Sequence, residues 1–257
     1  METIMLEGAR NVRDLGNTKN RYGEMIRTGI LLRGDALHSL TADDIHRLQN
    51  DYHLKTIIDM RTSRETVERP DRIIEGTEYR NIRIFNEEHT GVTRENQATG
   101  PERFKHMPPM TDIYRMIVTS DHTVQQMQKV LRCIMDENSG TVIFHCTAGK
   151  DRTGLAAVFL LALLDVDLGT IREDYMMTNA TAIEDAEKSA RRIYEQLHDQ
   201  QIADHIRTAF IAKEEYLDTA LRCIEDQCGT LDRYIEERLG ITAEEKEAFR
   251  TRMLIKP

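Results

Sequence analysis

Val142-Ile143-Phe144-His145-Cys146-Thr147-Ala148-Gly149-Lys150-Asp151-Arg152-Thr153-Gly154 decides how this chain is read. Thr141 to Cys146 has the apolar run of a buried strand. Thr153 to Leu164 is apolar nearly all round, the pattern of a central buried helix. Between them lies a short loop with a cysteine at its mouth and an arginine six residues later. Such a loop aims backbone N–H groups and a helix N-terminus at one point, where a tetrahedral oxyanion fits. The helix end, Arg152 and Lys150 would also favour the thiolate of Cys146, making it a nucleophile at neutral pH. Arg152 can grip two oxyanion oxygens in bidentate fashion, which a lysine cannot do. Thr153 could donate its hydroxyl to the sulfur. Thr147, Ala148, Gly149, Lys150 and Thr153 are therefore the candidate substrate-binding positions, with Cys146 and Arg152 as the candidate catalytic pair. Taken alone, Cys146 could equally be a small buried hydrophobe at a strand end. The full string around it favours the chemical reading. Cys133, Cys223 and Cys228 sit on helical patterns and read as packing residues.

Outward from this segment, strand and helix patterns alternate, which predicts an α/β fold with a mostly parallel central sheet flanked by helices. The first forty residues are punctuated by glycines, and the stretches Glu24 to Thr28 and Ile30 to Arg33 read as short strands of a hairpin-rich segment. Thr41 and Asp44 resemble a capping box opening a helix over 42–50. Leu54 to Met60 reads as a buried strand ending at Asp59, and Tyr79 to Phe85 as another. Residues 86–110 are polar and read as a long loop. Val124, Met127, Val130, Leu131, Ile134 and Met135 recur at helical spacing. From Asp165 onward the pattern is helical, with a thin apolar stripe over 180–207 and further helices over 208–257. The whole chain, 1–257, reads as one domain.

Composition narrows the classes. The chain has 257 residues, 40% hydrophobic and 31% charged, a globular rather than a disordered balance. Its net charge of −9 argues against bulk nucleic-acid affinity, so an anionic substrate must be drawn by a local positive site. The longest strongly apolar run, Leu155 to Leu164, is too short to span a bilayer, and an integral membrane protein is not expected. Met1 to Arg10 has an acidic residue at position 2 and no apolar h-region, so no Sec signal is read and a cytoplasmic place is the default expectation. Four cysteines without a CxxC pattern suggest neither a disulfide scaffold nor a zinc module.

The string H-C-x5-R-T-G resembles the signature of the cysteine-dependent protein tyrosine phosphatase superfamily. The form H-C-T-A-G-K-D-R-T-G is similar to that of the bacterial atypical protein-tyrosine/lipid phosphatases of the mycobacterial PtpB and Listeria LipA type. Asn11-Val12-Arg13-Asp14-Leu15-Gly16 resembles that family's N-F-R-D-L-G, with Val12 where an aromatic is common. Ile58-Asp59-Met60-Arg61 with Glu65 resembles its D-L-R-x-x-x-E, and Asp174-Tyr175 with Thr178-Asn179 its D-Y-x-x-T-N. Known relatives are secreted, unlike the default read here. The resemblance implies a tyrosine-phosphatase-like α/β fold with a helical lid, placed here at about 180–207. It also implies hydrolysis of phosphomonoesters through a cysteinyl-phosphate, without metal or cofactor. The substrates it implies are phosphotyrosine proteins, with phosphoserine or phosphothreonine as an extension, and inorganic phosphate is the product.

The general acid is open between three carboxylates. The chain has no tryptophan, so a Trp-Pro-Asp loop is absent. Asp151 lies beside Arg152 in the loop, and the resemblance favours it; myotubularin-type lipid phosphatases also carry Asp there. Asp59 ends a strand, and strand carboxyl ends face the site in open α/β sheets. Asp112 lies 34 residues before Cys146, a spacing similar to that of the acid in other superfamily members. Lys150 gives the loop a second cation, and the string around it resembles tensin-type phosphoinositide phosphatases. Phosphoinositides are therefore expected as further substrates.

Several patterns compete and fail. Gly149-Lys150 is not a Walker A loop, since position 144 is Phe and 151 is Asp. Asp165-Val166-Asp167-Leu168-Gly169-Thr170 breaks the DxDGT spacing of Mg-dependent phosphatases. The histidines show no zinc spacing, and His145 reads as a loop-positioning residue. A rhodanese-like sulfurtransferase and a catalytically silent phosphate-binding module are the rival readings. Arg152-Thr153 disfavours the first, and the intact trio Cys146, Asp151 and Arg152 disfavours the second.

Overall fold

The computed structural model describes residues 1–86 and 108–256. Six strands form one sheet: β1 (Glu2–Thr3), β2 (Arg13–Asp14), β4 (Leu31–Gly34), β5 (Leu54–Asp59), β6 (Glu78–Asn81) and β7 (Thr141–His145). Their order is β1-β2-β4-β7-β5-β6. β4, β7, β5 and β6 run parallel, and β1 and β2 close one edge antiparallel. The last strand of this sheet in sequence, β7, lies between β4 and β5. Registers Gly34 opposite His145 and Asp59 opposite His145 bring three carboxyl ends together there. Open parallel sheets bind ligands at such a switch point.

Helices cover both faces. α1 (Ala42–Asn50) carries the Thr41–Asp44 capping box read from the sequence. α2 (Ser63–Glu68) opens on a second box, Thr62 with Glu65. α3 (Met110–Thr119) and α4 (Asp121–Met135) lead into β7, and α5 (Asp151–Leu163) follows it. α5 is buried from Arg152 to Leu163, as its all-round apolar pattern requires. α6 (Leu168–Met177), α7 (Asn179–Leu197), α8 (Gln200–Phe210), α9 (Glu214–Cys228), α10 (Leu231–Glu237) and α11 (Ala243–Met253) complete the chain. The main core joins α5 to α3, α4, α9 and α10, and a second cluster packs α1 on the other sheet face through Leu48, Leu54, Ile57 and Ile143. α7 and α8 form a helical hairpin, turned at His198 in the left-handed region, with a small cluster of its own made by Ile193, Ile202 and Ile206.

Three local expectations change. The two N-terminal strand candidates do not pair with each other. β3 (Met25–Ile26) pairs with β8 (Leu254–Ile255), a strand where only helix was read, while β4 enters the central sheet. All four residues of β4 are buried, which suits an interior parallel strand and not a hairpin arm. The strand read over 79–85 stops at Asn81, because the chain then folds over the end of β5: Ile82 N–H donates to Asp59 O. The loop read over 86–110 ends where α3 begins, and 87–107 lies outside the described residues.

Candidate active site

The loop from Cys146 to Arg152 joins β7 to α5 across the carboxyl ends of β4 and β5. Its carbonyls are held from behind. Thr147 O accepts from Ala36 N–H, Ala148 O from Asn11 Nδ2 at 2.9 Å, and Gly149 O from Arg33 Nη2 at 2.8 Å. A planar trans peptide points its N–H opposite to its carbonyl, so fixing these carbonyls outward turns the following amides inward. Gly149 has φ +65°, and a Cβ there would lie 2.7 Å from Gly34 O; this is a position only glycine fills. Arg33 and Arg13 share the buried carboxylate Asp174, so two guanidinium groups and one carboxylate sit behind the loop.

Cys146 is buried at the loop's mouth. Burial alone would push its thiol up. The Arg152 guanidinium and the Thr153 hydroxyl and N–H more than offset this and hold it below the ordinary thiol value. Arg152 in turn is aimed by Glu65, whose carboxylate accepts from Nη1 at 2.7 Å and Nη2 at 2.9 Å. Thr147 also donates its hydroxyl to Glu65, and Arg152 Nη1 lies 3.3 Å from Met60 O. Despite its burial, Glu65 is held far below the usual carboxylate range, with Arg152 the chief cause. The sequence showed Glu65 within a family motif but assigned it no role. Its T-x-x-E capping box was the local sign of a helix that would present it.

The three carboxylate candidates separate. Asp151 is the first residue of α5, with 24% of its side chain exposed, 3.3 Å from Lys150 and facing the Tyr114 hydroxyl. Asp59 stands at its strand end as read, but it does not reach the loop. It is fully buried, bound by Arg61 Nη2 at 2.7 Å and by the Tyr79 hydroxyl at 2.7 Å. Burial would raise it, but His145 and Arg61 keep it below its ordinary value, the wrong protonation state for an acid. Asp112 sits exposed in the first turn of α3, paired with Arg115.

Lys150 also departs from expectation. Its ammonium is buried and turned to the end of α8, donating to Ala209 O and, at 3.1 Å, to Ile211 O. In front of the loop lies a cleft of about 690 Å³, reached by Thr147 and Ala148, with Arg10 and Arg69 on one wall and Lys188 and Arg192 of α7 on the other. Arg10 pairs with Glu184 and Asp185 of α7 at 3.2 and 2.7 Å. Among the described residues, Asp59, Asp71 and His145 cluster closely enough to hold a cation. Arg61 already donates to Asp59 and forms an ion pair with Asp71 at 2.8 Å, so its guanidinium supplies the positive charge and the trio does not fit a metal.

The family model described as "Tyrosine phosphatase family" matches residues 4–255. The chain belongs to the tyrosine phosphatase family. It is 27% identical over 233 residues to a Cupriavidus necator protein provisionally named a tyrosine-protein phosphatase, covering 90% of this chain and 82% of that one. It is 25% identical over 268 aligned positions to the triple specificity protein phosphatase PtpB of Mycobacterium tuberculosis, covering 90% and 92%. A tyrosine-protein phosphatase of Nostoc commune matches 130 residues at 29% identity, covering 49% of this chain and 40% of that one. Membership of the tyrosine phosphatase family agrees with the parallel sheet and with a phosphatase activity. No helix among the described residues is long and apolar enough to cross a membrane.

Proposed function

We propose that this phosphatase hydrolyses phosphomonoesters through a cysteinyl-phosphate on Cys146. The observation that carries the reading is the Glu65–Arg152 pair, which holds a planar guanidinium beside a thiol kept below its ordinary value. The Cys146 thiolate attacks phosphorus in line. Arg152 and the inward amides bind the equatorial oxygens as charge builds on them. The P–O bond to the leaving group breaks, and Asp151 gives its proton to the departing oxygen. Water then attacks the phosphocysteine, with Asp151 taking the water proton. The P–S bond breaks, and Thr153 stabilises the sulfur as it leaves as thiolate. Inorganic phosphate is released.

The α7–α8 hairpin serves as a lid over the cleft in this reading. It has a small apolar cluster of its own and is tied to the body by Arg10 and Lys150. Phosphotyrosine proteins are the primary substrates, with phosphoserine, phosphothreonine and phosphoinositides as further ones. The mycobacterial relative's name states triple specificity, which supports breadth. With Lys150 turned to α8, a second phosphate of a headgroup would meet Arg69 and Arg192. Both line the cleft, and among the described residues no hydrogen bond or ion pair engages either guanidinium.

The test is turnover of p-nitrophenyl phosphate, phosphopeptides and phosphoinositides in EDTA, with acid-quench trapping of phosphocysteine. A sulfurtransferase or a silent binding module would give neither turnover nor trapped adduct. Full activity without any adduct on Cys146 would overturn the covalent route.

A further inference from the structure

Behind the loop lies a buried set of charges whose signs do not cancel. Arg13 on β2 and Arg33 on β4 both engage Asp174 of α6, and none of the three side chains is more than 2% exposed. Arg13 Nε donates to Asp174 Oδ1 at 2.8 Å, and Arg33 Nη1 donates to Oδ2. Two guanidinium groups against one carboxylate leave one positive charge over, out of water. A surplus buried charge is costly. Arg33 adds to that cost, since its Nε is buried without a hydrogen-bond partner among the described residues.

Both cations aim their other donors at the loop. Arg33 Nη2 donates to Gly149 O at 2.8 Å. Arg13 Nη1 donates at 2.6 Å to Asn11 Oδ1, and Asn11 Nδ2 donates at 2.9 Å to Ala148 O. A guanidinium only donates, so the Asn11 oxygen must face Arg13 and its amino group the loop. A charge-assisted bond to a carbonyl strengthens the N–H at the other end of the same peptide as a donor. Gly149 O shares its peptide with Lys150 N–H, and Ala148 O shares its own with Gly149 N–H. Of the titratable groups facing Arg33, Arg13 comes from β2, Asp174 from α6 and Cys146 from just after β7; burial and Arg13 bring Arg33 down only to about 10, so it stays charged at neutral pH.

We propose that Arg33 is a positioning residue that charges the loop from behind: with Arg13 it leaves one uncancelled positive charge there, which polarises the Ala148–Gly149 and Gly149–Lys150 peptides and stabilises the Cys146 thiolate. This inference rests on Cys146 being the nucleophile.

Arg33→Gln and Arg33→Lys test it. Both new side chains can donate to Gly149 O, but only lysine keeps the charge. Iodoacetamide alkylation of Cys146 followed against pH reads the thiol directly. Its midpoint should rise by about one pH unit in Arg33→Gln, the order expected of a unit charge several ångströms away at an effective dielectric of about 20. Arg33→Lys should recover most of that shift. Asp174→Asn enlarges the surplus, so there the midpoint should fall. A mere prop predicts otherwise, because any loosening of the loop would raise the midpoint whatever the charge. Equal rises in Arg33→Gln and Arg33→Lys, no rise in a folded Arg33→Gln, or a rise in Asp174→Asn would each overturn the inference, and the last decides the matter if Arg33→Gln does not fold. The titration needs no substrate. Shifts of the expected sign in a protein that turns over no phosphate would count against the proposed reaction and not against this charge.

Discussion

Glu65, in the first turn of α2, and Arg152, in the first turn of α5, meet through two hydrogen bonds of 2.7 and 2.9 Å, one from each Nη to each carboxylate oxygen. In the proposed reaction the pair fixes the plane of the guanidinium that receives the phosphoryl oxygens. Glu65→Gln removes the charge and leaves the shape. One lost charge-assisted contact is worth about 1.5–3 kcal/mol, so kcat/KM should fall about 10- to 150-fold. Steady-state kinetics on p-nitrophenyl phosphate checks this, and a loss under threefold would mean Arg152 aims itself.

The same pair sets a pH dependence of stability. Glu65 is held far below the usual carboxylate range in the folded protein. A depressed carboxylate stabilises the fold above its unfolded value, about 4.3, and that contribution is lost as pH falls below it. In urea titrations the stability gap between wild type and Glu65→Gln should be widest at neutral pH and narrow progressively below about pH 4.5. A gap that widens in acid would contradict the sign.

Cys146→Ser should abolish turnover and retain phosphate binding, since the loop amides and Arg152 remain. Arg152→Lys should also lose activity, because the ammonium cannot reproduce the planar fork that Glu65 holds. Calorimetric phosphate titration alongside kinetics separates the two losses. Substantial turnover by Cys146→Ser would sink the covalent mechanism.

Asp151→Asn and Asp59→Asn should fail differently. The first should remove the acid requirement from the pH profile and hurt substrates with poor leaving groups most. The second leaves Arg61 without one of its two buried partners. It should appear chiefly as lost stability, about 3–5 kcal/mol for a broken buried pair. Equilibrium denaturation and a leaving-group series on both variants assign the roles. A leaving-group effect confined to Asp59→Asn would move the acid there.

The α7–α8 hairpin should exchange amide hydrogens faster than α5, whose side chains are buried from Arg152 to Leu163. Lys150→Met removes the ammonium held by Ala209 O and Ile211 O, and exchange should accelerate further around 200–212. On substrates, Arg192→Ala should lower kcat/KM for a phosphoinositide by more than for p-nitrophenyl phosphate. Equal losses on both would confine the cleft's reading to phosphoprotein hydrolysis.

What the sequence determined by itself was local. The strand before Cys146, the loop and the apolar helix after it are contiguous, and the order of these elements was readable from the sequence. α1 with its Thr41–Asp44 cap and the central place of α5 were legible for the same reason: each signal lies within one or two turns of chain. Tertiary structure decided which side chains meet. Glu65 and Arg152 are 87 residues apart, and His145 and Asp71 are 74 apart; no periodicity joins such pairs. Asp59 shows the limit most plainly. Its place at a strand end was readable, but its direction was settled by Arg61 folding back onto it and by the Tyr79 hydroxyl arriving from the neighbouring strand. Lys150 likewise stands in the loop as read, yet the carbonyls at the end of α8 draw its ammonium away from the loop's mouth. Residue type and spacing set what a group can do. Where a charge points is set by the partners that compensate its burial, and those arrive only when distant segments pack together.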